Sequence, residues 1–535
     1  MGSPGKNLAN VHQQRKGFDV GAARNHQIAK ADQRLCYRRQ FLMSRTPITA
    51  LGDWNSLEVG QYYLYSHPDL DVHELSDAKK TIVLIGYLFD PFDYKKGNSD
   101  ILRDITSKSG SFRDFILAIK PYAGRYVLVY KDETCLKLVQ DALSLREVYY
   151  STKQNLIVCG SQPNLIATYS APKLTTTKNP DVIAFLKNHM RSVRNGCLWV
   201  GDGTYYDQIK HLLPNYCLDL RSLSVQRYWP NTELKTLDLD ETVKRACSFL
   251  QAMMRAVTHR HSVMMAVTAG TDSRTLLAAS RELTDKIYFF INNQGNSINK
   301  RADLRIPQML FSSINVPFHV HDVPADVDAE FKEVFLKNTF FASERVLPTI
   351  CNVYFKNHGD KINVLGVGEI GRALWGDEPK KLSAYYLAYV LRYKRSRYAT
   401  QQCQQWLEEV LPTAKQFHLN IVTLLLWEQL LGNWGVVGNS ESDIAIEEFD
   451  PYDSHYLYET LLGVDEKCIK GDSNAVFKEV IRRMWPELLE YPINPPDTMK
   501  AKIEFLLKRM KFYAPLKKLR YQANYFRYSY LSREK

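Results

Sequence analysis

Thr268-Ala269-Gly270-Thr271-Asp272-Ser273 sets three hydroxyls, a glycine and a carboxylate side by side. That set suits a phosphate chain and its counter-cation. Thr268, Thr271 and Ser273 offer O–H donors, Gly270 lets the backbone approach an anion closely, and Asp272 can hold a magnesium ion that neutralises the phosphates. Ahead of the hexamer runs Val263-Met264-Met265-Ala266-Val267, an apolar stretch expected to be a buried strand, and Thr275-Leu276-Leu277-Ala278-Ala279 behind it reads as helix. The hexamer is therefore a strand-to-helix turn. There the first amides of the helix have no intrahelical partner, and the helix dipole favours negative charge. No Gly-x-x-x-x-Gly-Lys-Ser/Thr occurs in the chain, so the loop is not of the Walker type. Arg274, next in line, either steers phosphate or supports the helix start.

Other candidates lie downstream. Ile287 to Asn292 is a near-continuous apolar strand of the kind covered on both faces, and a helix from Ala302 to Ser313 and a strand from Phe318 to Val323 follow. This β-α-β-α-β succession predicts a doubly wound parallel sheet, whose ligands bind at the carboxyl ends of its strands. Asn292 then either touches a nucleotide or caps the next turn. A further strand, Lys361 to Leu365, runs into Gly366-Val367-Gly368-Glu369-Ile370-Gly371-Arg372. The glycines Gly366 and Gly368 permit close approach to a ligand, and Glu369 is placed for metal or proton work, or pairs with Arg372. Glu441, Asp443, Glu447 and Glu448 cluster ahead of Phe449-Asp450-Pro451-Tyr452; of these, Glu448 is the candidate to bind an amine or act as general base.

These elements belong to a chain of 535 residues, 45% hydrophobic and 12% aromatic, enough for two or three domains with proper cores. Short strands punctuated by turns between Trp54 and Ser161 predict a β-rich layered domain, and a helix from about Glu241 to Thr258 leads into the loop. The formal charge of +12 sits at the ends: residues 1–45 carry +7 and residues 500–535 carry +9, which leaves the body slightly acidic. That distribution disfavours a nucleic-acid reader. Nine scattered cysteines without Cys-x-x-Cys spacing fit reduced thiols in a cytoplasmic compartment. The most apolar long run, Ile421 to Gly438, contains Glu428, Gln429 and Asn433, and so reads as a buried helix with no membrane span. Residues 1–48 read as a mobile basic leader. The last segment, 497–535, basic and aromatic, reads as an amphipathic helix packing on the body with a basic edge, with an anionic partner as the alternative.

The hexamer resembles the Ser-Gly-Gly-x-Asp-Ser pyrophosphate loop of the asparagine synthetase superfamily, with Thr268 and Ala269 in place of the first Ser and Gly. Gly366 to Arg372 looks like that family's Ser-Gly-Glu-Gly-x-Asp-Glu element, which provides a second magnesium ligand. Ile370 stands at the aspartate position, so Glu369 would substitute with a one-residue shift. Gly124-Arg125-Tyr126-Val127-Leu128-Val129, Gln140-Asp141-Ala142 and Val148-Tyr149-Tyr150 look like the family's N-terminal glutamine-amidotransferase domain, and Gly201 to Tyr216 like its inter-domain hairpin. The nucleophilic cysteine of that domain is missing: position 2 is Gly2, and the first cysteine is Cys36. The family's Glu-x-Arg-x-Pro-Phe is altered too, with Phe449 or a neighbour where its arginine stands.

The resemblance runs from about Trp54 to Pro496. It implies an α/β protein: a degenerate, αββα-type amidotransferase-like domain over 49–231, and a doubly wound, adenine-nucleotide α-hydrolase-like ATP pyrophosphatase domain over 241–496. It further implies an asparagine synthase-like ligase that uses ATP and Mg2+ to adenylate a small-molecule carboxylate and pass it to ammonia or another amine, releasing AMP and pyrophosphate, with a homodimer as a possible assembly. In that scheme Thr268 to Ser273, Asn292, Gly366 and Gly368 bind the nucleotide, Asp272 and Glu369 hold the metal, and Arg274, Glu369 and Glu448 serve catalysis. Two other readings stay open: a tRNA-modifying pyrophosphate-loop enzyme, disfavoured by the missing cysteine pair, and a non-catalytic scaffold, disfavoured by Asp272 and Ser273.

Overall fold

Short apolar runs build two antiparallel sheets from the first part of the chain. The strands are β1 (Phe41–Ser44), β2 (Asn55–Val59), β3 (Tyr62–Ser66), β4 (Val72–Ser76), β5 (Thr81–Phe89), β6 (Ala123–Lys131), β7 (Leu136–Gln140), β8 (Tyr149–Ser151), β9 (Ile157–Gly160), β10 (Ile209–His211), β11 (Tyr216–Asp219) and β12 (Ser224–Arg227). One sheet runs β10-β8-β9-β1-β3-β2 and the other β12-β11-β7-β6-β5-β4. The structure, a computed structural model, describes residues 34–153, 156–170, 179–189, 199–293, 301–340, 342–366, 378–379, 381–469, 474–496, 499–510 and 512–533.

The pleat sorts the side chains into layers. Val83 and Ile85 of β5 meet Phe41, Met43 and Leu64 between the two sheets. Their neighbours Ile82 and Leu84 point the other way, onto Ile101, Ile105 and Phe115 of the helices Asn98–Lys108 and Phe112–Ile119. On the far side Leu42 and Tyr65 pack against Leu165 and Ile166 of the helix Pro163–Tyr169. The order is helix, sheet, sheet, helix, as expected of period-two strands buried on both faces. Fully burying one such Leu or Ile contributes roughly 1.5–3 kcal/mol.

One expectation is corrected here. Residues 34–48 are not a leader: β1 is wholly buried between β9 and β3, and the turn before it buries Tyr37, Arg39 and Gln40. Leu42 and Met43 each find an apolar layer on their own side of the sheet, which outweighs the charge of the flanking arginines. Residues 1–33 lie outside the described residues.

The third sheet is parallel throughout: β13 (Val263–Ala266), β14 (Ile287–Asn293), β15 (His319–Asp322), β16 (Ile362–Val364) and β17 (Glu447–Phe449), in the order β15-β14-β13-β16-β17. β13 sits in the middle because both its faces are apolar: Val263 and Met265 join the main core, and Met264 packs with Phe290 and Tyr354 on the other side. The helix Leu239–Arg260, started by Asp238 accepting from the Glu241 amide, buries Val243, Leu250, Met253 and Val257 and delivers the chain to β13. The helix Thr271–Ala279 leaves it.

Two buried ion clusters lock the antiparallel sheets to this half. Arg125 of β6 donates through both terminal nitrogens to Asp443 (2.5 and 2.7 Å) and to Glu447 (3.0 Å), while Arg146 reaches Glu447 at 2.9 Å and Arg39 at 3.4 Å. Burial alone would raise the Glu447 carboxyl, but Arg146, Arg125 and Arg39 hold it below the ordinary carboxylate range. Farther along, Arg227 grips Glu428 at 2.6 and 2.8 Å, and Trp406 and Asn215 also donate to that carboxylate, each at 2.9 Å. Glu428 belongs to the long helical stretch Ile421–Ser442, which is apolar enough to cross a membrane; 78% of its most apolar window is buried inside the protein, so it is a core helix.

Candidate functional site

The hexamer lies where the sequence puts it, between the central strand β13 and the helix Thr271–Ala279. Gly270 is the residue that precedes the helix, and with no side chain it cannot cap the amides of the first turn. The hydroxyls shape the loop. Thr268 accepts from the Gly270 amide at 3.0 Å, and the Ser273 hydroxyl accepts from the Thr268 amide at 3.1 Å. A Cβ on Gly270 would lie 3.0 Å from the Thr268 oxygen, so a larger residue would push that hydroxyl aside. The Ala269 amide already donates to a carboxylate oxygen, that of Asp303, at 3.0 Å. An anionic oxygen therefore fits against this backbone.

Three strand ends converge on Asp272. A Cβ on Gly366, just beyond β16, would stand 3.2 Å from the Asp272 Cβ and 3.3 Å from the Tyr452 ring. Tyr452, just beyond β17, donates its hydroxyl to the Asp272 carbonyl at 3.2 Å. Burial, followed by the Asp272 carboxylate, raises the Tyr452 phenol well above its ordinary range, so it stays a neutral donor. Gly366 thus meets a close-packing requirement at the loop. Gly368, Glu369 and Arg372 lie outside the described residues. Among the described residues no group of three or more His, Cys, Asp or Glu side chains is arranged to hold a metal ion. Asp272 and Asp303 are the described carboxylates at the loop that suit a magnesium–phosphate guest.

Arg274, in the first turn of the helix Thr271–Ala279, braces a distant segment against the loop. Its guanidinium is buried and donates to the carbonyls of Leu488 and Tyr491 at 2.9 Å each and of Pro492 at 3.3 Å. Burial brings it down to about 10. It fastens the segment after Trp485 against the loop, and that segment in turn places Asn494, whose amide donates to the Ala269 carbonyl at 2.9 Å. The guanidinium is turned to these carbonyls rather than to a phosphate.

Asn292 and Glu448 belong to a second, deeper polar group on the face of the sheet covered by the π-helical segment Ile350–Phe355. Asn292 donates to the Tyr354 hydroxyl at 3.5 Å, and its own carbonyl oxygen has no hydrogen-bond partner. Glu448 accepts from Asn363 and from Ser442 at 3.0 Å each. Burial outweighs those bonds and pushes the Glu448 carboxyl up to about 7. A carboxyl near 7 is matched to proton transfer at neutral pH, but this one is closed in, with 6% of its surface exposed.

The sequence alone did not single out Asp303, Tyr354, Asn363, Tyr452 or Asn494 as site residues. Two carried a local signal: Asp303 is an acid in the first turn of the helix Arg301–Ser313, and Asn494 sits between prolines that fix an irregular segment. Asn363 and Tyr452 are brought in by strand order, and Tyr354 by the helical segment packed on the sheet.

No family model matches this chain, and no curated protein does. Solved structures do match. Glutamine phosphoribosylpyrophosphate amidotransferase from B. subtilis, complexed with ADP and GMP, is 10% identical over 52% of this chain, with a TM-score of 0.22; the match spans 66% of that enzyme, just under two thirds of its length. NH3-dependent NAD synthetase from Campylobacter jejuni, in complex with the nitrate ion, is 14% identical over 36% of this chain and 92% of its own, with a TM-score of 0.21. An allosteric regulatory enzyme of purine biosynthesis is 11% identical over 68% of this chain and 74% of its own, with a TM-score of 0.23. At these values the likeness carries no argument about activity, and the chemistry rests on the site.

Proposed function

We propose that this protein is an ATP-dependent ligase that activates a small carboxylate by adenylation and transfers it to an amine, with AMP and pyrophosphate as products. The carrying observation is the glycine-preceded helix start at the end of the central strand, with Asp272 held between Gly366 and Tyr452. Mg-ATP, when bound, supplies the electrophilic α-phosphorus and the pyrophosphate leaving group. Thr268, Thr271 and Ser273 and the first-turn amides are the donors for pyrophosphate charge, and Asp272, with Asp303 beside the loop, carries the charge for the cation. Most of the rate enhancement would come from positioning and charge stabilisation.

In this reading the amine is not supplied by a glutaminase at β1. That strand begins with Phe41, whose amide is bonded to the Ser161 hydroxyl, and Gln40 before it is fastened to the Asn338 carbonyl; no thiol stands there. Cys36 lies in the preceding turn, 3.9 Å from the Lys337 ammonium. Free ammonia or another amine is therefore the acceptor in this reading. The eight cysteines among the described residues form no disulfide.

ATP–pyrophosphate exchange with pools of amino acids and small carboxylates is the test. One carboxylate should support exchange, and Asp272→Ala should lower it by about 100-fold or more. Unchanged exchange in that variant, or no exchange with any pool together with no binding of Mg-ATP, would sink the proposal.

A further inference from the structure

The C-terminal arm consists of two helices in mutual contact, Met499–Arg509 and Tyr513–Arg533, and its apolar residues fall on two opposite faces of the second. Tyr521, Tyr525 and Tyr528, at steps of four and three, form the inner face. Their rings meet the helix Ala384–Val390, with Tyr521 5.1 Å from Tyr389, and Tyr525 and Tyr528 5.2 and 4.7 Å from Tyr385. Half a turn away, Leu516, Leu519, Ala523 and Phe526 repeat at steps of three, four and three, and so share the opposite face. Among the described residues that face has no cover: Leu516 is 49% exposed, Leu519 61% and Phe526 73%. The first helix carries a matching stripe, Met499, Ile503 and Leu506, each more than half exposed.

Cations border the stripe on one flank. Arg520 and Arg527 project beside Ala523 into a hollow of about 570 Å3 whose other wall is Arg392, Lys394 and Arg395. Besides burial, the groups that bear on the Lys394 ammonium are Arg520, Lys500, Arg392 and Arg395, all of them positive. Like charges are gathered here around a cavity. The stripe and the hollow meet at Ala523.

We propose that this arm is a membrane-surface docking element: the apolar stripe enters the headgroup boundary of an anionic bilayer, and the arginine-lined hollow receives a lipid phosphate. Charge complementarity selects this occupant. A second copy of the chain laid along the stripe would bring five cations against five more, which opposes association. Nucleic acid would satisfy the cations but leaves Leu516, Leu519, Ile503 and Leu506 with nothing to cover them. An anionic lipid surface meets both needs, as it does for interfacial helices with one apolar face and a basic flank. The inference does not depend on the ligase reading, since the arm shares no residue with the pyrophosphate loop.

The test is co-sedimentation of the full chain with vesicles of phosphatidylcholine alone and of phosphatidylcholine with phosphatidylglycerol, at low and high salt. The altered side chains are exposed, and an unchanged melting temperature in each variant confirms that the fold is kept. Binding should require phosphatidylglycerol and weaken with salt. Leu516→Asp/Leu519→Asp should weaken it by about tenfold or more, and each cation removed by Arg520→Ala or Arg527→Ala by roughly fivefold. Three results would overturn the proposal: no preference for the anionic vesicles; full binding by the Leu516→Asp/Leu519→Asp chain; or a wild-type dimer that this double substitution separates, which would make a second copy the cover.

Discussion

Arg125→Ala removes the cation that joins β6 to the segment carrying Asp443 and Glu447. Asp443 receives two hydrogen bonds from this guanidinium, at 2.5 and 2.7 Å, and the pair is nearly solvent-free, at 1% and 7% side-chain exposure. Truncating one partner of a buried pair costs about 3–5 kcal/mol, because the other charge stays behind without compensation. Glu447 keeps Arg146 and Arg39, so the cost falls on Asp443 and should sit near the lower end, about 3 kcal/mol. Replacing both members with apolar residues, Arg125→Met with Asp443→Leu, removes the stranded charge and should recover most of that loss. Urea unfolding of the wild type, Arg125→Met, Asp443→Leu and the double, followed by tryptophan fluorescence and by circular dichroism, gives the cycle. Its coupling energy should be about 2 kcal/mol or more. A single variant that loses less than about 1 kcal/mol, or singles whose effects add in the double, would refute the account of this cluster as an interdependent buried lock.

Two further tests address the site. Burial lifts the Glu448 carboxyl from 4.5 to about 7, so between those values the folded chain binds a proton that the unfolded chain has released. Stability should therefore fall as pH rises through that window, by about 3 kcal/mol when fully expressed, and melting temperatures of Glu448→Gln should show a shallower decline than wild type. Glu441, raised by burial to about 8, pulls the same way and leaves a residual slope; an identical slope in both proteins would rule out Glu448 as the titrating group. Arg274→Met leaves the carbonyls of Leu488, Tyr491 and Pro492 without their donor. It should cost about 2–4 kcal/mol and open residues 486–496 to limited proteolysis, with pyrophosphate exchange less than about tenfold down below the variant's melting temperature. Unchanged stability with abolished exchange would instead make Arg274 a phosphate ligand.

Much of this was legible in residue order. The near-continuous apolar runs of β5 and β6, the apolar β13 and β14, and the small and hydroxyl residues between Thr268 and Ser273 announce layered sheets and a strand-to-helix anion loop. These signals are local: alternation, continuity and turn chemistry are set within a few residues. β1 escaped notice because Phe41-Leu42-Met43-Ser44 is four residues long and flanked by arginines, and only the sheets on either side of it reveal its burial. Arg274 was ambiguous for a similar reason, since its carbonyl partners lie more than two hundred positions away.

The sequence by itself determined the fold class, the central loop and the chemistry its side chains can offer, because these follow from neighbours in the chain. Tertiary structure decided the rest. It set Gly366 and Tyr452 against Asp272, turned Arg274 to backbone carbonyls, and buried Glu448. It also split the aromatic C-terminal helix into a docked face and a bare one. The physical reason is that strand order and burial decide what each group meets, and neither is written in the spacing of residues along one element.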